Sequence, residues 1–253
     1  MSVALVTNPS LTGSEWALRV RLAGAYRVAH ELGWGELIYT HISARIPGRE
    51  HHFLINPYGL RFDEVTASNL VKIDVEGNAV GTQHYRANKA GFMIHSALHM
   101  AREDAGCVWH MHTLAGMAVS AQDAGLLPVH MYSHNFFNRV AYHEFEGPSM
   151  RLDERERLVR SLGAHNALIL RNHGLLAIGK TIPEAFIRFW RLNRSCEVQL
   201  AAQAAKLRLP SKAVCEASYQ MGEEFLTDQA PLGELEFDSI LRKIDSRDAS
   251  YKN

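Results

Sequence analysis

The chain is organised around a short apolar run that carries two histidines, residues 107–113 (Cys-Val-Trp-His-Met-His-Thr). Its length and apolar character predict a buried β-strand, in which successive side chains point to opposite faces. His110 and His112 would then share one face, and Trp109 and Met111 would share the other. Two imidazoles on one face are typical of half a metal site.

A third histidine strengthens this interpretation. His173 follows the apolar run 167–170 and precedes Gly174, which allows the backbone to approach closely. For any single histidine, the alternative is a structural role in the core or an exposed position. Taken together, the three residues predict a metal centre formed by His110, His112 and His173.

Length and charge bound the class of protein. The 253 residues suffice for one large domain or two small ones with a full core. Lys plus Arg and Asp plus Glu both number 27, so no basic surplus indicates a nucleic-acid partner or an anionic membrane. No signal peptide is recognisable at the N-terminus. No run approaches the roughly 18 apolar residues of a membrane span.

The three cysteines are odd in number and far apart. They are Cys107, Cys196 and Cys215. This pattern indicates reduced thiols in a cytoplasmic protein rather than a disulfide framework.

Apolar periodicity and turn residues predict a mixed α/β chain. Helices are expected at 14–32, 88–102, 114–121, 153–162 and 181–206, and strands at 37–45, 53–55, 71–74, 107–113, 140–142, 167–171 and 175–179. The hairpin-like spacing favours a mostly antiparallel sheet covered by helices on both faces. Residues 1–11 are expected to form a loose arm. The tail 211–253 is expected to hold one or two helices and a frayed end.

Five segments together resemble the class II aldolase/adducin family. They are residues 39–45 (Tyr-Thr-His-Ile-Ser-Ala-Arg), 54–59 (Leu-Ile-Asn-Pro-Tyr-Gly), 94–99 (Ile-His-Ser-Ala-Leu-His), 110–113 (His-Met-His-Thr) and 172–175 (Asn-His-Gly-Leu). The resemblance covers about residues 15–207. It implies a three-layer α/β/α sandwich with a mostly antiparallel central sheet, assembled as a homotetramer. The whole chain, 1–253, would form a single domain with a helical tail at 211–253.

The resemblance also implies site residues. In the sugar-phosphate aldolases of this family three histidines bind zinc, and the matching positions are His110, His112 and His173. Zinc is therefore the expected cofactor, with manganese, cobalt or iron as alternatives. The matching substrate-binding positions are Ser43, Tyr58, Gly59 and Lys89.

The chain departs from the aldolases where proton transfer takes place. The position of their catalytic glutamate holds Gly91, and a glycine cannot transfer a proton. Several phosphate-cradling positions also differ, with Thr40-His41 at the place of a Gly-Asn pair. The residue that replaces the glutamate is not identified by the pattern. Candidates are His84, Tyr85, His95, His130 and His134.

Three functional hypotheses follow. The first is a cytoplasmic, metal-dependent lyase of aldolase or decarboxylase type. It would act on a small oxo- or hydroxy-acid or aldehyde-derived substrate through an enolate. The second is a non-heme Fe(II) oxygenase or decarboxylase on the same fold. The third, motivated by Gly91, is a non-catalytic adducin-like interaction module.

Overall fold

The computed structural model describes residues 13–48, 50–147, 153–227 and 230–253. The expected N-terminal arm at 1–11 lies outside these residues. Within these residues seven strands form one sheet in the order β3-β2-β1-β4-β7-β6-β5, and every neighbouring pair is antiparallel except β5 with β6. The strands are β1 (His41–Arg45), β2 (Phe53–Ile55), β3 (Val71–Ile73), β4 (Cys107–Met111), β5 (Ala141–His143), β6 (Ala167–Leu170) and β7 (Gly174–Gly179).

Eight α-helices accompany the sheet within the described residues. They are α1 (Gly13–Glu31), α2 (Lys89–Ala101), α3 (Leu114–Ser120), α4 (Met131–His134), α5 (Glu154–Leu162), α6 (Ile182–Ala202), α7 (Lys212–Thr227) and α8 (Glu234–Asp245). The longest, α6, begins where its sequence signals predict. The hydroxyl of Thr181 accepts a hydrogen bond from the backbone N–H of Glu184, and Pro183 lies in the first turn.

Helices cover both faces of the sheet, which confirms the three-layer α/β/α architecture. On one face Trp109 of β4 packs with Phe186 and Phe189 of α6 in a core that also includes α1 and α8. On the other face Val108 packs in a second core with residues of α2 and α5. Adjacent residues of β4 therefore enter different cores, as strand alternation predicts.

Three strand ends meet near the predicted metal centre. His41 of β1 lies directly opposite His110 of β4, and His110 lies opposite Leu176 of β7. The start of β1 is held by Tyr26 of α1, whose hydroxyl donates to the carbonyl of Ile42. The register of these pairs brings histidines from different parts of the chain to one face and one edge of the sheet.

Two local expectations are wrong. Residues 37–40 form a tight turn closed by a bridge between Glu36 and Tyr39, because Leu37 and Thr40 adopt positive φ angles of 51° and 65°. The C-terminal end is docked rather than frayed. Tyr251 is buried, and its carbonyl accepts from the N–H of Ala67 at 2.8 Å.

The tail does contain two helices, α7 and α8, and α8 packs on α1 and α6.

All three cysteines are free and buried. Among the described residues, none of the helices combines the length and the hydropathy that crossing a membrane requires.

Candidate metal centre

Three histidines converge at the ends of two central strands of the sheet, β4 and β7. His110 lies in β4, His112 follows the end of that strand, and His173 lies in the turn between β6 and β7. The Nε2 atoms of His110 and His112 are 3.1 Å apart, and one nitrogen from each of the three rings lies within 4.8 Å of the others. We call His110, His112 and His173 the triad.

The outer nitrogens of two triad members have fixed partners. Nδ1–H of His110 donates to the carbonyl of Leu175 at 3.0 Å, and Nδ1–H of His112 donates to the carboxylate of Glu36 at 2.6 Å. In the neutral tautomers both Nε2 atoms then carry lone pairs that face each other. A cation between them would relieve this repulsion, and such outer hydrogen bonds are typical of metal-ligating histidines.

Burial keeps the imidazoles of His110 and His173 neutral. It lowers the pKa of His110 well below its ordinary value of 6.5 and that of His173 to about 4, and the neighbouring histidines lower both further. Neutral imidazole is the form that binds a metal ion. Three nitrogen donors with room for a further ligand fit zinc and also suit manganese, cobalt or iron.

A cavity of about 310 Å³ adjoins the triad. Besides the three histidines, its lining includes Thr40, His41, Gly91 and Phe145. The ring of Phe145 lies edge-on to His173 with centroids 6.3 Å apart. The cavity therefore has the volume of a small-molecule site, with the triad in one wall.

The predicted substrate-binding residues lie at three different places. Ser43 is fully buried, and its hydroxyl lies 2.6 Å from Nδ1 of His95 and 2.7 Å from Nε2 of His99, so it does not line the cavity. Tyr58 and Gly59 occupy an exposed turn that also lies outside the cavity lining. Lys89 begins α2, and its side chain is outside the described part of the chain.

Of the five candidates for proton transfer, only His95 adjoins the cavity wall. It is fully buried on α2, and its ring lies 4.3 Å from that of His41, centroid to centroid. The other four, which are His84, Tyr85, His130 and His134, do not line the cavity. His134 instead makes a 3.0 Å hydrogen bond to the hydroxyl of Ser218.

Glu36 was not identified from the sequence, and His41 was placed only at a phosphate-cradling position by the family resemblance. Glu36 holds His112 from a distant loop, and no local pattern marks it. His41 lines the cavity and faces the same side of β1 as Ser43, two residues later. Two signals could have indicated that His41 belongs to the site. It lies two residues before Ser43, on the same strand face, and β1 is the strand that pairs with β4.

Comparison with known proteins identifies the family. Residues 20–200 match the profile of the Class II Aldolase and Adducin N-terminal domain. The chain belongs to the class II aldolase/adducin family. A Caulobacter vibrioides protein, assigned to the class 2 aldolases by name without an established activity, is 46% identical over 242 residues. The match covers 94% of this chain and 93% of that protein.

Other similar proteins include both aldolases and adducins. Alpha-adducin of Rattus norvegicus is 39% identical over 97% of this chain, which spans only 36% of the adducin. The crystal structure of an aldolase II superfamily protein from Pseudomonas syringae has a TM-score of 0.91 and 43% identity, covering 96% of this chain and 98% of that one. L-fuculose 1-phosphate aldolase from Glaciozyma antarctica has a TM-score of 0.81 and 27% identity, covering 98% and 97%.

Proposed function

We propose that this protein is a metal-dependent carbon–carbon lyase of aldolase or decarboxylase type, with His110, His112 and His173 binding a divalent ion. Zinc is the first choice for that ion, and manganese, cobalt and iron are the alternatives. The observation that carries the proposal is the convergence of the triad nitrogens. The Nε2 atoms of His110 and His112 lie 3.1 Å apart, while their Nδ1 atoms have other partners.

The chain's own residues would orient the ligands and shape the cavity. The carbonyl of Leu175 and the carboxylate of Glu36 hold two imidazoles with Nε2 directed inward. The ring of Phe145 lies edge-on to His173 and forms part of the cavity lining. When bound, a divalent ion supplies Lewis-acid stabilisation of the enolate left as a carbon–carbon bond breaks. A small oxo- or hydroxy-acid, or an aldehyde-derived molecule, fits this chemistry.

The similarity to L-fuculose 1-phosphate aldolase supports a lyase class for this chain. The residues at the cavity argue against carrying over its substrate. Gly91 offers no group for proton transfer, and His41 replaces an amide side chain that the aldolases use around phosphate. We therefore propose a substrate without a sugar phosphate.

A second candidate function is a non-catalytic, adducin-like interaction module. The 39% identity to alpha-adducin over nearly the whole chain favours it, and so does the glycine at position 91. The triad argues against it, because an interaction surface gains nothing from three buried or half-buried imidazoles whose nitrogens converge.

Elemental analysis tests the proposal. The protein would be purified with and without air, beside His110→Ala, His173→Ala and the exposed control His84→Ala. We expect near-stoichiometric zinc, manganese or cobalt that the two triad variants lose and the control keeps. Carbon–carbon cleavage of 2-oxo acids and aldehydes would then be screened.

Two other results would redirect the assignment. Iron retained only without air would favour the Fe(II) oxygenase or decarboxylase, which oxygen uptake would test. No metal in either preparation, and none taken up on addition, would leave the interaction module.

We further propose a homotetramer in the cytoplasm, as the family resemblance implies. Large apolar side chains support an assembly, since Leu37, Leu114 and Met131 are 73%, 80% and 66% exposed. Sedimentation velocity should give the coefficient of four copies of the 253-residue chain. A monomer at micromolar concentration would contradict the tetramer.

A further inference from the structure

Gly91 is required by its surroundings rather than by its own backbone. It lies within α2, and its φ angle is outside the left-handed range that favours glycine. A Cβ atom at position 91 would lie 2.4 Å from Cε1 and 2.5 Å from Nε2 of His41. Carbon and nitrogen atoms do not approach so closely without a bond. A side chain at position 91 and the imidazole of His41 in its present position therefore cannot both be accommodated.

His41 is buried, and among the described residues the protein offers its ring only weak backbone contacts, from Gly91 and Thr40, that fall short of full hydrogen bonds. It is 6% exposed, and within the described residues neither of its ring nitrogens has a hydrogen-bond partner in good geometry. The adjacent hydroxyl of Thr40 is buried as well, and it has no hydrogen-bond partner in the part of the chain that the structure describes. Buried polar atoms normally have partners, because leaving them bare costs free energy. Both residues line the cavity, and the ring centroid of His41 lies 5.4 Å from that of His110.

A hydrogen-bonded chain supports His41 from behind. The carbonyl of Ala105 accepts from Nδ1–H of His99 at 2.6 Å, so Nε2 of His99 accepts from the hydroxyl of Ser43. The Ser43 oxygen in turn accepts from Nδ1–H of His95. Because a carbonyl can only accept, these neutral tautomers are fixed in one direction. We call Ala105, His99, Ser43 and His95 the buried histidine chain.

The buried histidine chain fixes the place of His41. The ring of His95 packs against that of His41 with centroids 4.3 Å apart and planes 33° from parallel. His95 itself cannot rotate without breaking its bond to Ser43. A rigid support of this kind is typical of side chains that must meet a ligand at a defined position.

We propose that His41 is the substrate-contacting residue that takes the space of the missing carboxylate at position 91. Its imidazole would hydrogen-bond an oxygen of a small 2-oxo or 2-hydroxy acid whose other oxygens face the triad. The substrate class rests on the proposed function, whereas the mutual exclusion of His41 and a side chain at position 91 does not. A neutral imidazole admits an anionic acid that a second carboxylate would repel.

Oxalate is a suitable probe, because it is a small dianion with several oxygens. Its binding to the zinc-loaded protein would be measured by calorimetry for the wild type, His41→Phe, His41→Asn and the control His84→Phe. His41→Phe keeps a ring but removes both nitrogens, and we expect it to weaken binding at least about tenfold. His41→Asn should restore part of the affinity, and His84→Phe should change nothing. Wild-type affinity in His41→Phe at equal zinc content would overturn the proposal.

The same titration separates this proposal from the proposed function. If the protein takes up no metal, the lyase assignment fails on that result alone. The titration would then use metal-free protein, in which His41→Phe should still weaken oxalate binding. Equal oxalate affinity in the metal-free wild type and His41→Phe, or no oxalate binding to either, would overturn the role of His41.

Thermal unfolding of the metal-free protein tests the exclusion itself. Gly91→Ala should lower Tm by about 5 °C, because the added methyl displaces His41. In a His41→Ala background the same change should have little effect. Gly222→Ala in α7 is the control, since a Cβ there would lie at an ordinary 3.4 Å from its nearest neighbour. Additive losses in the double variant would contradict the exclusion.

Discussion

Two groups of histidines lie on the same side of the sheet, and their ring nitrogens differ in their hydrogen-bond partners. In the buried histidine chain, both nitrogens of His99 and Nδ1 of His95 have partners supplied by the protein. In the triad only the outer nitrogens of His110 and His112 are satisfied, and their inner nitrogens meet. Among the described residues, three of the four nitrogens in the buried histidine chain have hydrogen-bond partners and only Nε2 of His95 lacks one. The inner nitrogens of the triad face the cavity side by side instead.

Acid should act on the buried imidazoles most strongly. Burial lowers the pKa of His41 to about 4 and that of His99 to about 3, below the 6.5 of an unfolded histidine. Between these values the unfolded state binds more protons than the folded state. The contribution of the neutral imidazoles to the free energy of unfolding is therefore fully present above pH 6.5 and is lost as pH falls towards 4. From pH 7.5 to pH 5 each histidine should cost about 2 kcal/mol of unfolding free energy.

Urea unfolding of the metal-free protein at the two pH values measures this loss. His41→Phe should reduce it by about the share of one histidine. Equal stability at pH 7.5 and pH 5 would mean that the buried imidazoles titrate normally, and the contrast between the two groups would disappear.

Removing one triad member should strongly weaken zinc binding. His110→Ala deletes an inner nitrogen, so we expect zinc affinity to fall at least about 100-fold, more than for loss of an outer partner. Competition with a chelator of known affinity measures the change, with His84→Ala as the control. Unchanged affinity would show that His110 is a core histidine like those of the buried histidine chain.

Ser43→Ala should break the buried histidine chain without touching the triad. It leaves Nε2 of His99 and Nδ1 of His95 without a partner, at a cost of about 2 kcal/mol of unfolding free energy. Ser239→Ala, at an exposed serine of α8, is the matched control and should change stability by less than about 0.5 kcal/mol. A zinc affinity that falls with Ser43→Ala would show that the two groups are coupled.

Glu36→Gln should have the smallest effect of the four. The amide keeps a hydrogen-bond acceptor for Nδ1–H of His112 but loses the negative charge, so zinc affinity should fall by about tenfold. Chelator competition measures this change as well, with the exposed Glu76→Gln as control. An effect as large as that of His110→Ala would mean that Glu36 itself contacts the ion.

Local pattern was enough to predict the sheet and the triad. Strand alternation placed Trp109 and His110 on opposite faces. His173 was a candidate from its place after an apolar run, and the family resemblance grouped it with the other two histidines. These are short-range regularities of a strand and a hairpin. The docking of Tyr251 could not be predicted in this way, because its partner Ala67 is distant in sequence.

The cavity wall was beyond the reach of local pattern. Ser43 was predicted to contact substrate, but α2 packs over β1 and encloses its hydroxyl between two histidines. The closeness of Gly91 to His41 likewise arises only from the packing of α2 on β1. Such contacts depend on the distance between two elements rather than on the period of either.

The exclusion between position 91 and His41 also constrains ancestry. With the packing seen here, a lineage that exchanged a carboxylate at position 91 for this imidazole would pass most easily through glycine at position 91 before the histidine entered. The volume available to the two side chains therefore determines which of the two positions mutates first. Among natural relatives with this packing, those with a side chain at position 91 should lack a histidine at position 41, whatever reaction they perform.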